Sequence, residues 1–226
     1  MTTPTKQSAQ IDTRTRLLRT SLSIFAHRDF DAASVREIVE QAGTNIAAIS
    51  YHFGGKQGLY LATAEFLADS LQTVLGPTLA QMRAGAENAD PGKAGRLLDE
   101  MIQTLVHSLT TDRLGDDAAG FILREQHQPT AAFDILYERL MLPIQSTYQL
   151  LVSRILGDAE PDSRQQILIT HALIGQILAF RTARTTVLRR LGQTDFSQQD
   201  AREIADVISR LTLNALHGDN KRNTSP

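Results

Sequence analysis

Cysteine and tryptophan are both missing from this chain of 226 residues. Without cysteine there can be no disulfide, no thiolate metal site and no cysteine nucleophile, and the absence suits a reducing compartment. Aromatic residues make up only 5% of the chain, so the core must be built mainly from Leu, Ile and Ala. No run of about 18 apolar residues occurs, so no membrane-spanning helix is expected. Met1 to Gln10 are polar and lack an apolar centre, so no secretory signal is expected either, and the cytoplasm is the expected location. A Gly-x-Ser-x-Gly elbow is absent, which leaves hydrolase chemistry without a foothold. The histidines (27, 52, 107, 127, 171 and 217) form no pair spaced i, i+3 or i, i+4, so no helical metal site is expected. Gly54-Gly55-Lys56 lacks the strand and the spacer of a phosphate loop and reads as a turn between helices. The expectation is a protein with no catalytic residues, no metal and no cofactor.

What is present is an uneven charge. The net charge is −2, but residues 1–60 hold seven Lys/Arg against five acids. The other 166 residues carry 16 bases and 20 acids. A slightly basic N-terminus has the sign that a nucleic-acid-facing segment needs.

Apolar spacing is helical throughout, and the chain reads as all-α. Leu18, Leu22 and Phe25 recur at i, i+4, i+7 behind Asp12 or Thr13 as a cap. Val35, Ile38, Val39 and Ala42 form a second stripe behind Ser34, with Glu37 placed to complete a capping box. Ile46, Ile49 and Phe53 form a third. A longer helix begins with Leu59, Ala62, Phe66 and Leu67 and is expected to end or kink near Gly76-Pro77. Residues 88–92 read as a loop. Further helices are expected over 93–110, 116–126, 129–156 with a bend at Pro143, 162–191 and 197–216, with a break over 157–161. The expected division is a disordered tail over 1–10, a three-helix head over 11–55, a helical domain over 56–217 and a disordered tail over 218–226.

Between the second and third stripes the chain reads Ala42-Gly43-Thr44-Asn45. Gly43 can adopt the left-handed conformation that ends a helix, and Thr44 or Asn45 can cap the next. Two short helices joined this tightly give a helix-turn-helix, whose second helix enters the major groove. With Ile46, Ile49 and Phe53 turned inward, Asn45, Ala47, Ala48, Ser50, Tyr51 and His52 face outward. Small residues permit close approach to bases, and hydroxyl, amide and imidazole groups supply hydrogen bonds. Lys56 adds a charge beside the amides of the following helix, a place that favours phosphate. Ser34 and Thr44 join this candidate DNA-contacting set. Arg36 is either a backbone contact or a solvated charge.

The stretch from Ser34 through Tyr51-His52-Phe53 to Lys56 resembles the DNA-binding signature of the TetR family of regulators. In that family a Tyr-x-His-Phe or Tyr-Tyr-His-Phe run closes the recognition helix, and a Lys follows three residues later. Ala47 and Ile49 depart from the family's frequent Gly and Leu while keeping the packing logic. Residues 121–134 and 173–181 resemble CecR-like regulators. The resemblance implies a three-helix DNA-binding domain followed by a helical domain for ligand binding and dimerisation. Its implied partners are a palindromic double-stranded DNA operator, a second copy of the chain and a small-molecule effector whose binding relieves repression.

Polar residues scattered among apolar helical positions are the candidates for an effector pocket: Gln103, His107, Arg124, Glu125, His127, Tyr137 and His171. Arg124 and Glu125 could instead form a structural ion pair. Ile167, His171, Ile174, Leu178 and Arg181 fall on one stripe, which fits a pocket wall, a subunit interface or plain structure. Gly175 permits close helix approach there. With Ile204, Ile208 and Leu211 of the last helix, Ile174, Gly175, Leu178 and Arg181 are the candidate dimer interface, a four-helix contact in the implied dimer.

Overall fold

A computed structural model describes residues 6–110, 115–157 and 163–223, with side chains described between 13 and 218 in those stretches. Every element among the described residues is helical: α1 (Lys6–His27), α2 (Val35–Gln41), α3 (Ile46–Phe53), α4 (Lys56–Ala86), α5 (Pro91–Thr110), α6 (Asp116–His127), α7 (Ala131–Leu136), a π-helical turn (Tyr137–Met141), α8 (Leu142–Leu156), α9 (Arg164–Thr182), α10 (Arg184–Leu191) and α11 (Gln198–Asn223). The chain divides into two compact units. The first comprises residues up to Thr73 together with Gly115–Met141, and the second comprises Val74–Leu114 and Leu142 onward. The first half of α4, α6 and α7 therefore group with the helix-turn-helix, beyond the boundary expected at 55/56.

Several helix ends differ from the sequence expectation. Helix α1 begins at Lys6, ahead of the cap expected at Asp12 or Thr13, so 6–10 is helical rather than a tail. Helix α11 likewise continues to Asn223, and residues 1–5 and 224–226 lie outside the described residues. Most of the break expected over 157–161 also lies outside them. Pro77 neither ends nor interrupts α4. It cannot donate to the carbonyl of Thr73, and that residue is where the chain passes from one unit to the other. The helix expected from 129 to 156 is divided into α7, the π turn and α8. Pro143 has no N–H for the carbonyl four residues back, and the chain widens to π geometry just before it. The helix expected to run to Leu191 breaks at Ala183, whose ψ of 23° departs from the helical value.

In the first unit the core is aromatic despite the low aromatic content. Tyr60 of α4 meets the Phe25 ring of α1 edge-on at 4.7 Å and lies 5.1 Å from Phe121 of α6. Leu17, Leu18, Ile38, Ile49 and Leu59 complete it, each no more than 1% exposed. Arg124 of α6 closes the C-terminal end of α1: its Nε donates to the Phe25 carbonyl at 3.1 Å and Nη2 to that of Ala26 at 3.4 Å. A cation there also opposes the negative end of the helix dipole.

The second unit is mainly aliphatic. Leu98, Met101 and Ile102 of α5 pack with Tyr148, Leu151, Val152 and Ile155 of α8 and with Ala205 and Ile208 of α11. Here Arg154 plays the capping role at the end of α4, donating to the carbonyls of Ala86 at 3.2 Å and Glu87 at 2.7 Å.

Candidate nucleic-acid interface

Gly43, at φ +62°, ends α2 and turns the chain into α3. Thr44 N–H donates to the Val39 carbonyl at 2.9 Å, closing the turn. Asn45 is the cap of α3: its Oδ1 accepts the Ala48 N–H at 3.1 Å. That bond uses one lone pair of the amide oxygen and leaves the amide N–H donors for another partner. At the other end, Gly54 takes φ +72° and its N–H donates to the Ser50 carbonyl.

One face of α3 is pinned by Ile49, which is 1% exposed. Phe53 is half-buried under the guanidinium of Arg14, 5.5 Å from its ring centroid. Ser34, Arg36, Asn45, Ala47, Ser50 and Tyr51 are exposed, and Thr44, Ala48, His52 and Lys56 are half-buried. Tyr51, 73% exposed, meets the His52 ring edge-on at 5.0 Å. Lys56 is held in place by the protein: its Nζ lies 4.5 Å from the centroid of Phe30 and donates to the Asp31 carbonyl at 3.3 Å.

Two expectations at this site are corrected. Ile46 does not turn inward; it is 55% exposed. It lies on the same stripe as Ile49 and Phe53, but as the first residue of α3 it lines an open groove beside Val39 of α2 instead of entering the core. The capping box at Ser34 does not form either, since the Ser34 side chain makes no cap bond. Glu37 is engaged instead by Arg28, whose Nη1 donates to Oε2 at 2.7 Å.

The candidate effector residues are not gathered into one cluster. In the second unit Gln103 and His107 line a groove of about 430 Å³ with Val74, Leu75, Thr78 and Thr104. Gln103 also donates to Asp206 at 3.0 Å. His171 is exposed on α9. In the first unit Glu125 is fully buried and saturated. It accepts from the Tyr60 hydroxyl, from Thr130 N–H at 3.0 Å and from Thr130 Oγ1. Burial first, and the Glu125 hydrogen bond second, push the Tyr60 hydroxyl well above the usual phenol range. Arg124 pairs with Asp29, not with Glu125. The mutual ion pair does not form, and Glu125 is buried in joining α6 to its neighbours, whereas Arg124 lines a shallow groove with Gly120, Leu123, His127 and Gln128. His127 is exposed, and Tyr137 stacks with Phe133 at 6.0 Å.

Among the interface candidates, Ile174, Ile204 and Ile208 are buried within the chain's own core, each at most 8% exposed, so they offer no surface to a partner. Gly175 and Arg181 are half-buried. The exposed apolar positions on these two helices are Ile167, Leu168 and Leu178 of α9 and Val207 and Leu211 of α11.

A capped, outward-facing α3 presented by α1 and α2 is the geometry of a helix-turn-helix DNA-binding head. Residues 17–63 match the family described as bacterial regulatory proteins, tetR family, and residues 94–218 match the C-terminal domain of the HTH-type transcriptional dual regulator CecR. The chain belongs to the TetR family, with a CecR-type C-terminal half. It is 37% identical over 179 residues to the HTH-type transcriptional dual regulator CecR of Shigella flexneri, covering 78% of this chain and 79% of that protein. Solved structures share the fold at low identity. One from Pseudomonas aeruginosa PAO1, described as a transcriptional regulator, has a TM-score of 0.63 at 14% identity and covers 92% of each chain. Another, a SmeT–triclosan complex, has a TM-score of 0.53 at 17% identity and covers 90% of each chain. No helix among the described residues is long and apolar enough to cross a membrane.

Proposed function

We propose that this regulator is a homodimeric repressor, acting in the cytoplasm, that binds a palindromic operator through α3 and leaves it when a small molecule binds its helical C-terminal part. The observation that carries the DNA contact is the face of α3, where small and polar side chains stand exposed around a buried Ile49. Ser34, Thr44, Tyr51, His52 and Lys56 would grip the phosphates, with Arg36 at the edge. Asn45, Ala47, Ala48 and Ser50 would stand nearest the bases. Two-fold symmetry would set the half-sites about 34 Å apart or somewhat more.

A second copy would cover the exposed leucines and isoleucines of α9 and α11, beside Gly175 and Arg181. For the effector, the groove holding Gln103 and His107 is the favoured site, being open and amphipathic. The complex of the similarly folded SmeT with triclosan supports a small-molecule ligand. Such a ligand can shift the DNA-binding equilibrium only by its difference in affinity for the two conformers.

The test is a mobility-shift titration of the full chain on its own upstream DNA, with and without a compound library. Preference for that fragment over random competitor, and its loss with one compound, is the expected result. Equal binding to all fragments would refute the operator, and no response to any compound would refute the effector. Lys56→Ala should weaken binding to all sequences alike and lower the salt slope by about one for each Lys56 lost.

A further inference from the structure

Ile46 sits at the start of α3 with 55% of its surface exposed, on a face that is otherwise small or polar. It lines an open groove where α2 and α3 meet. Val39, Ile46 and Ala47 supply the apolar lining, and Arg36, Glu40 and Asn45 the polar groups. With more than half of its surface in water, Ile46 gives the head less packing stabilisation than a buried isoleucine, since the hydrophobic gain scales with apolar area removed from water. The groove is continuous with the DNA-facing side of α3, because Asn45 and Ala47 belong to both. The major groove of B-DNA presents one apolar group on its base edges, the C5 methyl of thymine, next to the O4 acceptor of the same base. Asn45 stands beside Ile46 with one lone pair of its amide oxygen engaged by the cap, and its N–H donors are not used by that bond. An amide donor next to an exposed apolar side chain fits the paired O4 acceptor and methyl of thymine.

We propose that Ile46 is a specificity-determining residue that packs against the methyl group of one thymine in each half-site. This rests on the reading of α3 as the recognition helix. The test begins by selecting a preferred duplex from a random-sequence library with the full chain. Each thymine of that duplex is then replaced in turn by deoxyuridine, which differs only by the missing methyl. Wild-type protein should lose about four-fold in affinity per half-site at one symmetric thymine position. Ile46→Ala should bind the thymine and uracil duplexes alike, while Ile46→Val retains a reduced preference. All three proteins should fold, with Ile46→Ala melting only slightly below the wild type, since more than half of the side chain is exposed. If no thymine replacement affects the wild type, or if Ile46→Ala keeps the full thymine preference, the proposal is overturned. Failure to enrich any sequence would overturn the recognition-helix reading itself, a separate outcome visible before any uracil is introduced.

Discussion

Asn45 uses the two ends of one amide for different purposes. Its oxygen caps α3 through the Ala48 N–H, while its N–H donors take no part in that bond, and the residue as a whole is exposed. Substitution can separate the two. Asn45→Asp retains an acceptor for the cap, so the melting temperature should hold, but a carboxylate facing phosphates and bases should weaken DNA binding at least ten-fold. Asn45→Ala should lose the cap as well, at a cost of about 1 kcal/mol. Thermal melts beside binding isotherms for both variants check this. Gly58 is constrained for a different reason. A Cβ built there would lie 1.8 Å from the Phe53 carbonyl oxygen, because the first turn of α4 crosses the end of α3. Gly58→Ala should therefore destabilise the head by about 1–3 kcal/mol, read as a lowered melting temperature. It should also disturb the turn that carries Lys56.

At the scale of the element, two helices begin with a serine three residues ahead of an acid, and only one of these pairs closes into a box. Ser34 and Glu37 are spaced for a capping box at α2, yet Glu37 is drawn to Arg28 and the box stays open. Ser197 and Asp200 complete theirs at α11: Asp200 N–H donates to Ser197 Oγ at 3.1 Å, and Ser197 N–H donates to Asp200 Oδ2 at 2.7 Å. The Ser197 side chain, then its backbone N–H, hold the Asp200 carboxyl below the usual carboxylate range. A carboxyl depressed on folding contributes stability above its unfolded pKa, and that contribution is lost as pH falls through the folded value. The Asp200 carboxyl should thus titrate, by NMR, at a pH below that of an unperturbed aspartate. Fraying of the first turn of α11 should follow the same acid step and vanish in Asp200→Asn.

For the whole molecule, the exposed apolar side chains of α9 and α11 carry the next prediction. Charging them with Leu178→Glu and Leu211→Glu should leave the monomer fold intact, since both residues are more than 40% exposed. Light scattering should then report a monomer, and affinity for a palindromic duplex should fall at least ten-fold while a single half-site is bound as before. A dimeric mass for the double variant would move the interface elsewhere. Legibility also varied across the molecule. The all-helical class, the turn at Gly43 and the outward placement of Asn45, Ala47, Ser50 and Tyr51 were open to the sequence reading. Ile46, the fates of Arg124 and Glu125, and the division between core and surface on α9 and α11 were not.

Local spacing and residue chemistry determined the helices, the turn and the character of the face that α3 offers, since each depends on neighbours within about seven residues. Tertiary structure decided the rest. A helical stripe tells which side of a helix is apolar, but not whether another helix lies against it at a given turn. That is why Ile204 and Ile208 are core while Leu211, on the same stripe, meets water. Partner choice is equally non-local. Arg124 caps α1, and Glu125 joins Tyr60 to Thr130, because folding places α6 against elements from distant sequence, and no spacing along the chain encodes those contacts.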